Sequence, residues 1–418
     1  MMSSMTQATE FVNVKSLLRQ AFDVCTEITE QFRTACGKLP EAEYFLEVME
    51  TYYAPEQMEQ TRPKIIVFGT DFPMEIIYAL TGKPPYWVIG GNRAFTAASD
   101  EYVPRDTDPV TRAALGQLLA MEHMKASALV IVPCSSDAQR KTAYLLQTRG
   151  WKTVTIWIPA VQDAQAHKSF QSELEHAIGT ICRHLGKRYF APALTRSTRY
   201  MNGIRASIHA FLDAARGNEG LLPGPLRMAI LDSFFMADDL KSWHSHLNDL
   251  TAVLVKNPFG GREDRPRVLI IGSPVYFPNF KIPGLLSGAG VQIVGNIDSR
   301  TGQYENAFAG ESQKGLESLT HYYFEHDSSS AFVYNDQLVS AIHHYVEETK
   351  PDGIIWHVLK GQIEYDFELN RCEPYFEQQD LPVIRLETDY QYQDVEQLRI
   401  RIEAFSELLT QKRRERNA

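Results

Sequence analysis

Lys64-Ile65-Ile66-Val67-Phe68-Gly69-Thr70-Asp71-Phe72-Pro73-Met74-Glu75-Ile76-Ile77-Tyr78-Ala79-Leu80-Thr81-Gly82 is the stretch whose reading decides the fold. Lys64 to Phe68 reads as a strand buried on both faces, because it is almost wholly apolar with no alternation, and Gly69 closes it. Pro73 to Ala79 reads as a helix, with proline at its start and Gly82 just past its end. A buried strand that runs straight into a helix is half of a parallel-sheet unit.

The same pattern continues outward. Tyr86 to Ile89 is a second strand, closed by Gly90-Gly91, and Thr111 to Met121 reads as a helix. Ala128 to Val132, a helix from Ala138 to Leu146, and a strand from Thr153 to Ile158 follow. A second run opens at Arg267: Val268 to Ile271, a helix from Lys281 to Ser287 stopped by Gly290, a strand from Val291 to Val294, a helix face of Leu338, Ile342, Tyr345 and Val346, and strands at Gly353 to Trp356 and Pro382 to Leu386. A helix of about twenty residues from Val395 to about Lys412 ends this run. The fold class is therefore α/β: two open Rossmann-like parallel-sheet domains, their halves readable as distant copies of one topology.

Helical segments surround these runs. Leu18, Phe22, Cys25, Ile28 and Phe32 recur at spacings of three and four, and Gly37 and Pro40 stop that helix. Stripes at Phe170, Leu174, Ile178, Ile181 and Leu185, and at Ile204, Ile208 and Leu212, make a helical middle with a Gly/Pro-rich loop from Gly217 to Pro225. The expected division is a helical N-terminal segment over 1–60, a first α/β domain over 61–190, a helical connection over 191–262 and a second α/β domain over 263–418, with the last boundary near the polar stretch Asn257 to Pro266.

Composition limits the function classes. The chain has 418 residues, 44% apolar, 22% charged, with a net charge of −10. An acidic chain lacks the basic surface that nucleic acid requires, and the basic run Lys412-Arg413-Arg414-Glu415-Arg416 reads as a solvated tail. The polar start, Met1 to Glu10, has no secretory pattern, and no stretch reaches the roughly 18 apolar residues of a membrane span. Cys25, Cys36, Cys134, Cys182 and Cys372 are scattered and never form C-x-x-C, which fits a reducing cytoplasm and no disulfide framework.

Ligands of open α/β sheets bind beyond the carboxyl ends of the strands, so the residues after each strand are the candidates. They are Gly69-Thr70-Asp71, Gly90-Gly91-Asn92, Pro133 to Asp137, Gly272-Ser273-Pro274, His357 to Gln362 and Glu387-Thr388-Asp389. Neither G-x-G-x-x-G nor a phosphate loop follows the first strand of either run, so NAD and directly bound ATP are not expected. There is no G-x-S-x-G elbow, and His343-His344 lacks the carboxylate of H-E-x-x-H, so it reads as exposed or capping.

The closing block reads Lys360-Gly361-Gln362-Ile363-Glu364-Tyr365-Asp366-Phe367-Glu368, then Leu381-Pro382-Val383-Ile384-Arg385-Leu386-Glu387-Thr388-Asp389-Tyr390, then Gln397-Leu398-Arg399-Ile400-Arg401-Ile402-Glu403-Ala404-Phe405. It resembles the C-terminal signature of the 2-hydroxyacyl-CoA dehydratase/benzoyl-CoA reductase components. Pro73 to Gly82, Pro133 to Lys141 and Arg267 to Gly290 are similar to three further blocks of that family, in the same order. The resemblance runs from about residue 60 to the end of the chain. It implies an acyl-CoA thioester as substrate, one-electron chemistry at a [4Fe-4S] cluster, a second homologous subunit and an ATP-dependent iron–sulfur activator. Clusters of this kind are held by cysteine thiolates.

Here the sequence departs from the family. Gly69 stands where many relatives have cysteine, no cysteine lies between Asn92 and Val132, and Gly361-Gln362 supplies none. Cys134 alone falls near a ligand position, with Ser136 and Asp137 beside it as cofactor contacts. The cluster could be held with other ligands, belong only to the partner, or be absent. Cys134 could be the metal ligand or a buried, inert thiol. Glu75 could be an acid/base near the thioester or a first-turn glutamate complementing its helix. Gly69, Thr70, Gln362 and Asp389 are the candidate substrate contacts, although Asp389 and Glu387 could equally cap the last helix. Arg385, Arg399 and Arg401 could grip CoA phosphates or pair with nearby acids. The rival readings are a cluster-free structural, regulatory or acyl-CoA-binding member, and an unrelated small-molecule binder on a bilobal scaffold.

Overall fold

The computed structural model describes residues 13–37, 39–257, 265–301, 315–325 and 331–417. Two four-stranded sheets carry the fold, one ordered β2-β1-β3-β4 and the other β6-β5-β7-β8, with every pairing parallel. The first comprises β1 (Ile65–Phe68), β2 (Tyr86–Val88), β3 (Leu129–Cys134) and β4 (Lys152–Trp157). The second comprises β5 (Arg267–Gly272), β6 (Gln292–Ile297), β7 (Gly353–Leu359) and β8 (Val383–Thr388). The two orders are the same, so the repeated strand–helix pattern does reflect one topology used twice.

Burial explains which runs lost alternation. The inner strands β1, β3 and β7 are buried at every position, because helices cover both faces. The edge strand β4 alternates instead, and β8 is only half-buried over Val383 to Arg385. In the second sheet, Val268, Ile270 and Ile355 join the main core, while Leu269, Ile271, Ile354 and Trp356 form a second cluster under the helices Asp336–Thr349 and Glu364–Gln378. One continuous core otherwise spans the N-terminal helix, the first sheet, the helical middle and one face of the second sheet.

The helix Met74–Thr81 ends on Gly82, whose φ of 74° is the left-handed conformation that glycine adopts without strain. The N-terminal helix runs Val14–Cys36, and Cys25 is buried within it. The last helix extends to Asn417, so the basic run is not a loose tail. Arg413 and Arg416 both pair with Asp352 before β7, and Lys412 pairs with Asp380 at 2.6 Å. The expected boundary loop at 257–266 and the polar start lie largely outside the described residues, as does the side chain of Cys36.

Candidate functional site at the facing strand ends

The carboxyl ends of the two sheets face each other, and they are packed together. After β1, the Thr70 hydroxyl lies 3.1 Å from the hydroxyl of Tyr276 in the loop after β5. After β2, Gly91 sits so close to the Phe277 carbonyl that any Cβ would collide with it. After β7, Gly361 has a φ of 86°, and a Cβ there would lie 3.0 Å from both the Asp106 carbonyl and the Asp108 amide. After β6, buried Arg300 pairs with Asp298 at 2.6 Å and with Asp232, and its guanidinium lies 4.5 Å from the Tyr276 ring centre. Burial works against the Arg300 charge, but the two carboxylates more than offset it and raise its pKa.

Gly69, Thr70 and Gln362 thus lie on this seam. Gly69 itself has open space where a side chain would begin. The Gln362 side chain meets the Asp108 carboxylate, whose pKa burial raises, while Asp108 also caps its helix by accepting from the Thr111 amide at 2.9 Å. The Oε1 of Gln362 is buried without a partner. Asp389 does not cap the last helix. It accepts from the Gln391 amide at 2.6 Å and lies 3.4 Å from the Lys360 ammonium. The residue before that helix is Asp394, which instead takes the Thr388 hydroxyl at 2.6 Å and the Lys281 ammonium at 2.7 Å. Glu387 pairs with Arg385 at 2.9 Å, and Arg385 holds Asp366 with both nitrogens. Arg399 pairs with Glu396, whereas Arg401 donates to the Arg385 carbonyl and so contacts no acid there.

Glu75 is fully buried. Its Oε1 accepts from Arg205 at 2.5 Å and its Oε2 from the Tyr323 hydroxyl at 2.9 Å. Arg205 also lies 4.5 Å from the Tyr322 ring centre and donates to Asn202 at 2.9 Å. A cavity of about 30 Å³ beside this cluster is lined by Phe72, Trp87, Met201 and Phe234. The carboxylate is therefore pinned at both oxygens by groups the sequence reading did not single out. Tyr322 and Tyr323 lie on the helix Gly315–Glu325, which has no strong apolar period. Arg205 directly follows Ile204, beside the apolar stripe of Ile204 and Ile208, and that spacing does not mark it.

Cys134 ends β3 and is buried. Its thiol donates to the Val132 carbonyl at 3.5 Å, and burial pushes its pKa up to about 12. Ser136 and Asp137 belong to the next helix, Asp137–Thr148. Ser136 is its cap, in a reciprocal box with Gln139, and exposed Asp137 pairs with Arg140 at 2.7 Å. An iron–sulfur cluster needs several converging thiolates. Cys25, Cys182 and Cys372 lie on three separate helices, and among the described residues no three His, Cys, Asp or Glu side chains converge as a metal site. The described residues do not fit a four-iron cluster. His343 lies against the Tyr375 ring at 3.9 Å, and His344 lies 3.4 Å from Glu348.

Two parallel sheets with their carboxyl ends opposed, and site-bearing loops on both, define a bilobal α/β protein. Comparison makes this specific. Residues 69–409 match the family of the 2-hydroxyglutaryl-CoA dehydratase D-component, and the chain belongs to that family. It is 22% identical over 363 residues to the (R)-phenyllactyl-CoA dehydratase beta subunit of Clostridium sporogenes, covering 85% of this chain and 95% of that one. It is 23% identical over 359 residues to the putative dehydratase subunit YjiM of Escherichia coli (strain K12), covering 84% of this chain and 92% of that one. No helix among the described residues is long and apolar enough to cross a membrane.

Proposed function

We propose that this chain is a subunit of a cytoplasmic, hetero-oligomeric dehydratase acting on a 2-hydroxyacyl-CoA thioester, and that a second homologous subunit brings the cysteines this chain lacks. The observation that carries the reading is the family match, which runs from the loop after β1 at residue 69 to residue 409 and takes in the rest of both sheets. The resemblance to benzoyl-CoA reductase components leaves reduction of an aromatic acyl-CoA as the neighbouring reaction of the same class. One-electron chemistry then depends on a [4Fe-4S] cluster in the partner and on an ATP-dependent iron–sulfur activator. This chain's own contribution is a closed strand-end seam, with Thr70 buried inside it and Gln362 and Asp389 at its rim, against which the thioester is held.

A specific observation favours a second reading within the same family. The buried, protonated Cys134 thiol and the scattered remaining cysteines suit a cluster-free subunit that is structural, regulatory or acyl-CoA-binding without redox activity. One preparation separates the two: the chain is co-expressed anaerobically with a cysteine-bearing homologous subunit and purified through a tag on this chain. The leading reading expects a stoichiometric complex that dehydrates a 2-hydroxyacyl-CoA when activator and ATP are added. A complex that binds acyl-CoA but stays inactive supports the second. A chain that purifies alone opposes both.

A further inference from the structure

A hollow of about 1250 Å³ lies at the opposite edge of the first sheet from the strand-end seam. It borders the amino ends of the strands: Lys64 and Ile65 at the start of β1, Tyr86 at the start of β2, Ser127 before β3 and Lys152 at the start of β4. Lys64, Lys83, Lys152, Lys187 and Arg62 all line it. In a chain of net charge −10, five cations at one groove are an enrichment with no counterpart in the overall composition.

These cations are not neutralised. Among the described residues, Lys64, Lys83, Lys152 and Lys187 make no ion pair with a carboxylate. Lys187 instead donates to the Leu80 carbonyl at 2.5 Å, and Arg62 donates to the carbonyls of Glu59 and Thr61. The groove's acids, Glu47, Asp238 and Asp239, come from the helix Glu43–Tyr53 and from the residues leading into the helix Leu240–Lys256, not from the strand starts. Asp239 is already committed as that helix's cap, accepting from Lys241 and Ser242.

Register brings the lysines together. Ile65 pairs with Leu129, which pairs with Lys152, so Lys64 and Lys152 stand about two strand spacings, roughly 10 Å, apart along one edge. Both lysines line the groove. The edge itself is held firmly: the His184 ring Nε2 lies 3.1 Å from both the Lys64 and Ser127 carbonyls and ties the starts of β1 and β3. Beside the cations the groove turns apolar, with Met58, Ile77, Pro84, Pro85 and Met236. A row of unpaired cations next to an apolar wall suits a ligand with several phosphate charges at one end and a flat, weakly polar group at the other.

We infer that this groove is a binding site for a nucleotide carrying two or more phosphates, in which the lysines at the starts of β1 and β4 grip the phosphates and the Pro84-Pro85 wall carries the base. The site goes beyond the dehydratase reading and does not depend on it. The same chemistry has two sources, a free adenine nucleotide or the 3′-phospho-ADP end of coenzyme A.

The test uses the intact chain with ADP, ATP, coenzyme A and inorganic phosphate as separate probes in isothermal titration at low and high salt. The inference expects binding of at least one nucleotide, weakened by salt, and an affinity about tenfold lower in Lys64→Ala/Lys152→Ala, equivalent to about 1.4 kcal/mol. A control variant, Lys15→Ala on the exposed face of the N-terminal helix and outside the groove, is expected to bind as the parent does. Preference for coenzyme A over ADP assigns the groove to the thioester's nucleotide end, and equal or better ADP binding assigns it to a free effector. Unaltered circular dichroism shows that the double variant is folded. No nucleotide binding, binding of inorganic phosphate alone, or binding that the double substitution leaves unchanged overturns the site.

Discussion

Replacement of Glu75 by glutamine tests what the most buried carboxylate of the first domain is for. The substitution keeps the shape of the side chain and removes its charge, so Arg205, only 7% exposed, loses the attraction of the Glu75 carboxylate. Removal of one partner from such a pair costs about 3–5 kcal/mol, because the remaining charge keeps its desolvation penalty and loses the attraction that offset it. The Tyr323 hydroxyl, 2.9 Å away, still finds an amide oxygen, so little is added from that bond. Glu75→Gln is therefore expected to lose about 3 kcal/mol in urea unfolding followed by circular dichroism. Glu75→Gln/Arg205→Met removes both charges and should regain most of that loss, to within about 1–2 kcal/mol of the parent. The reasoning is refuted by a single variant within about 1 kcal/mol of the parent. If that stable variant also abolished dehydration in the assembled complex, Glu75 would be a catalytic residue and not a structural one.

Four further outcomes follow from the same contacts. Ser136→Ala should cost about 1 kcal/mol through loss of the helix cap and leave acyl-CoA binding unchanged, as read by unfolding and titration. Thr70→Val removes the hydroxyl contact to Tyr276 and should cost about 1 kcal/mol, and adding Tyr276→Phe should cost less than the sum of the two single changes, because either one alone already removes the shared contact. Gly361→Ala, at a φ of 86° and with backbone 3.0 Å from the new Cβ, should destabilise by at least about 1–2 kcal/mol, more than Gly69→Ala, which meets open space. His357 is fully buried, and burial lowers its pKa to about 4 while the unfolded chain titrates near 6.5. The unfolded chain therefore binds more protons between these values, so the contribution is complete above pH 6.5 and about 3 kcal/mol is lost as pH falls to 4. The stability gap between parent and His357→Asn should close by that amount.

The fold was legible because its inner strands are mostly apolar without alternation and its helices carry plain stop signals such as Gly82. Helices without a clean apolar stripe were not legible. Glu364–Gln378 contains Pro374 and exposes Ile363 and Phe367 near its start, so neither period nor composition marks it. Helix Gly315–Glu325 was missed for the same reason, and with it Tyr323. Candidate sites fared unevenly because strand-end position can be read locally, whereas pairing across the molecule cannot. Thr70 and Gln362 do reach the seam. Their partners Tyr276 and Asp108 are more than two hundred residues away in the chain, and no local pattern announces them. Cys134 looked like a ligand by position, but the strand end turns its thiol into the core, where only the Val132 carbonyl receives it.

The most direct test of the account is turnover by the assembled complex. Anaerobically purified cysteine-bearing subunit, activator and ATP are mixed with a 2-hydroxyacyl-CoA, with and without this chain, and formation of the unsaturated thioester is followed while iron is counted in each component. The account predicts dehydration only when this chain is present, with about four iron atoms in the partner and none in this chain. Full activity without the chain, or a cluster's worth of iron bound to the chain alone, would contradict it.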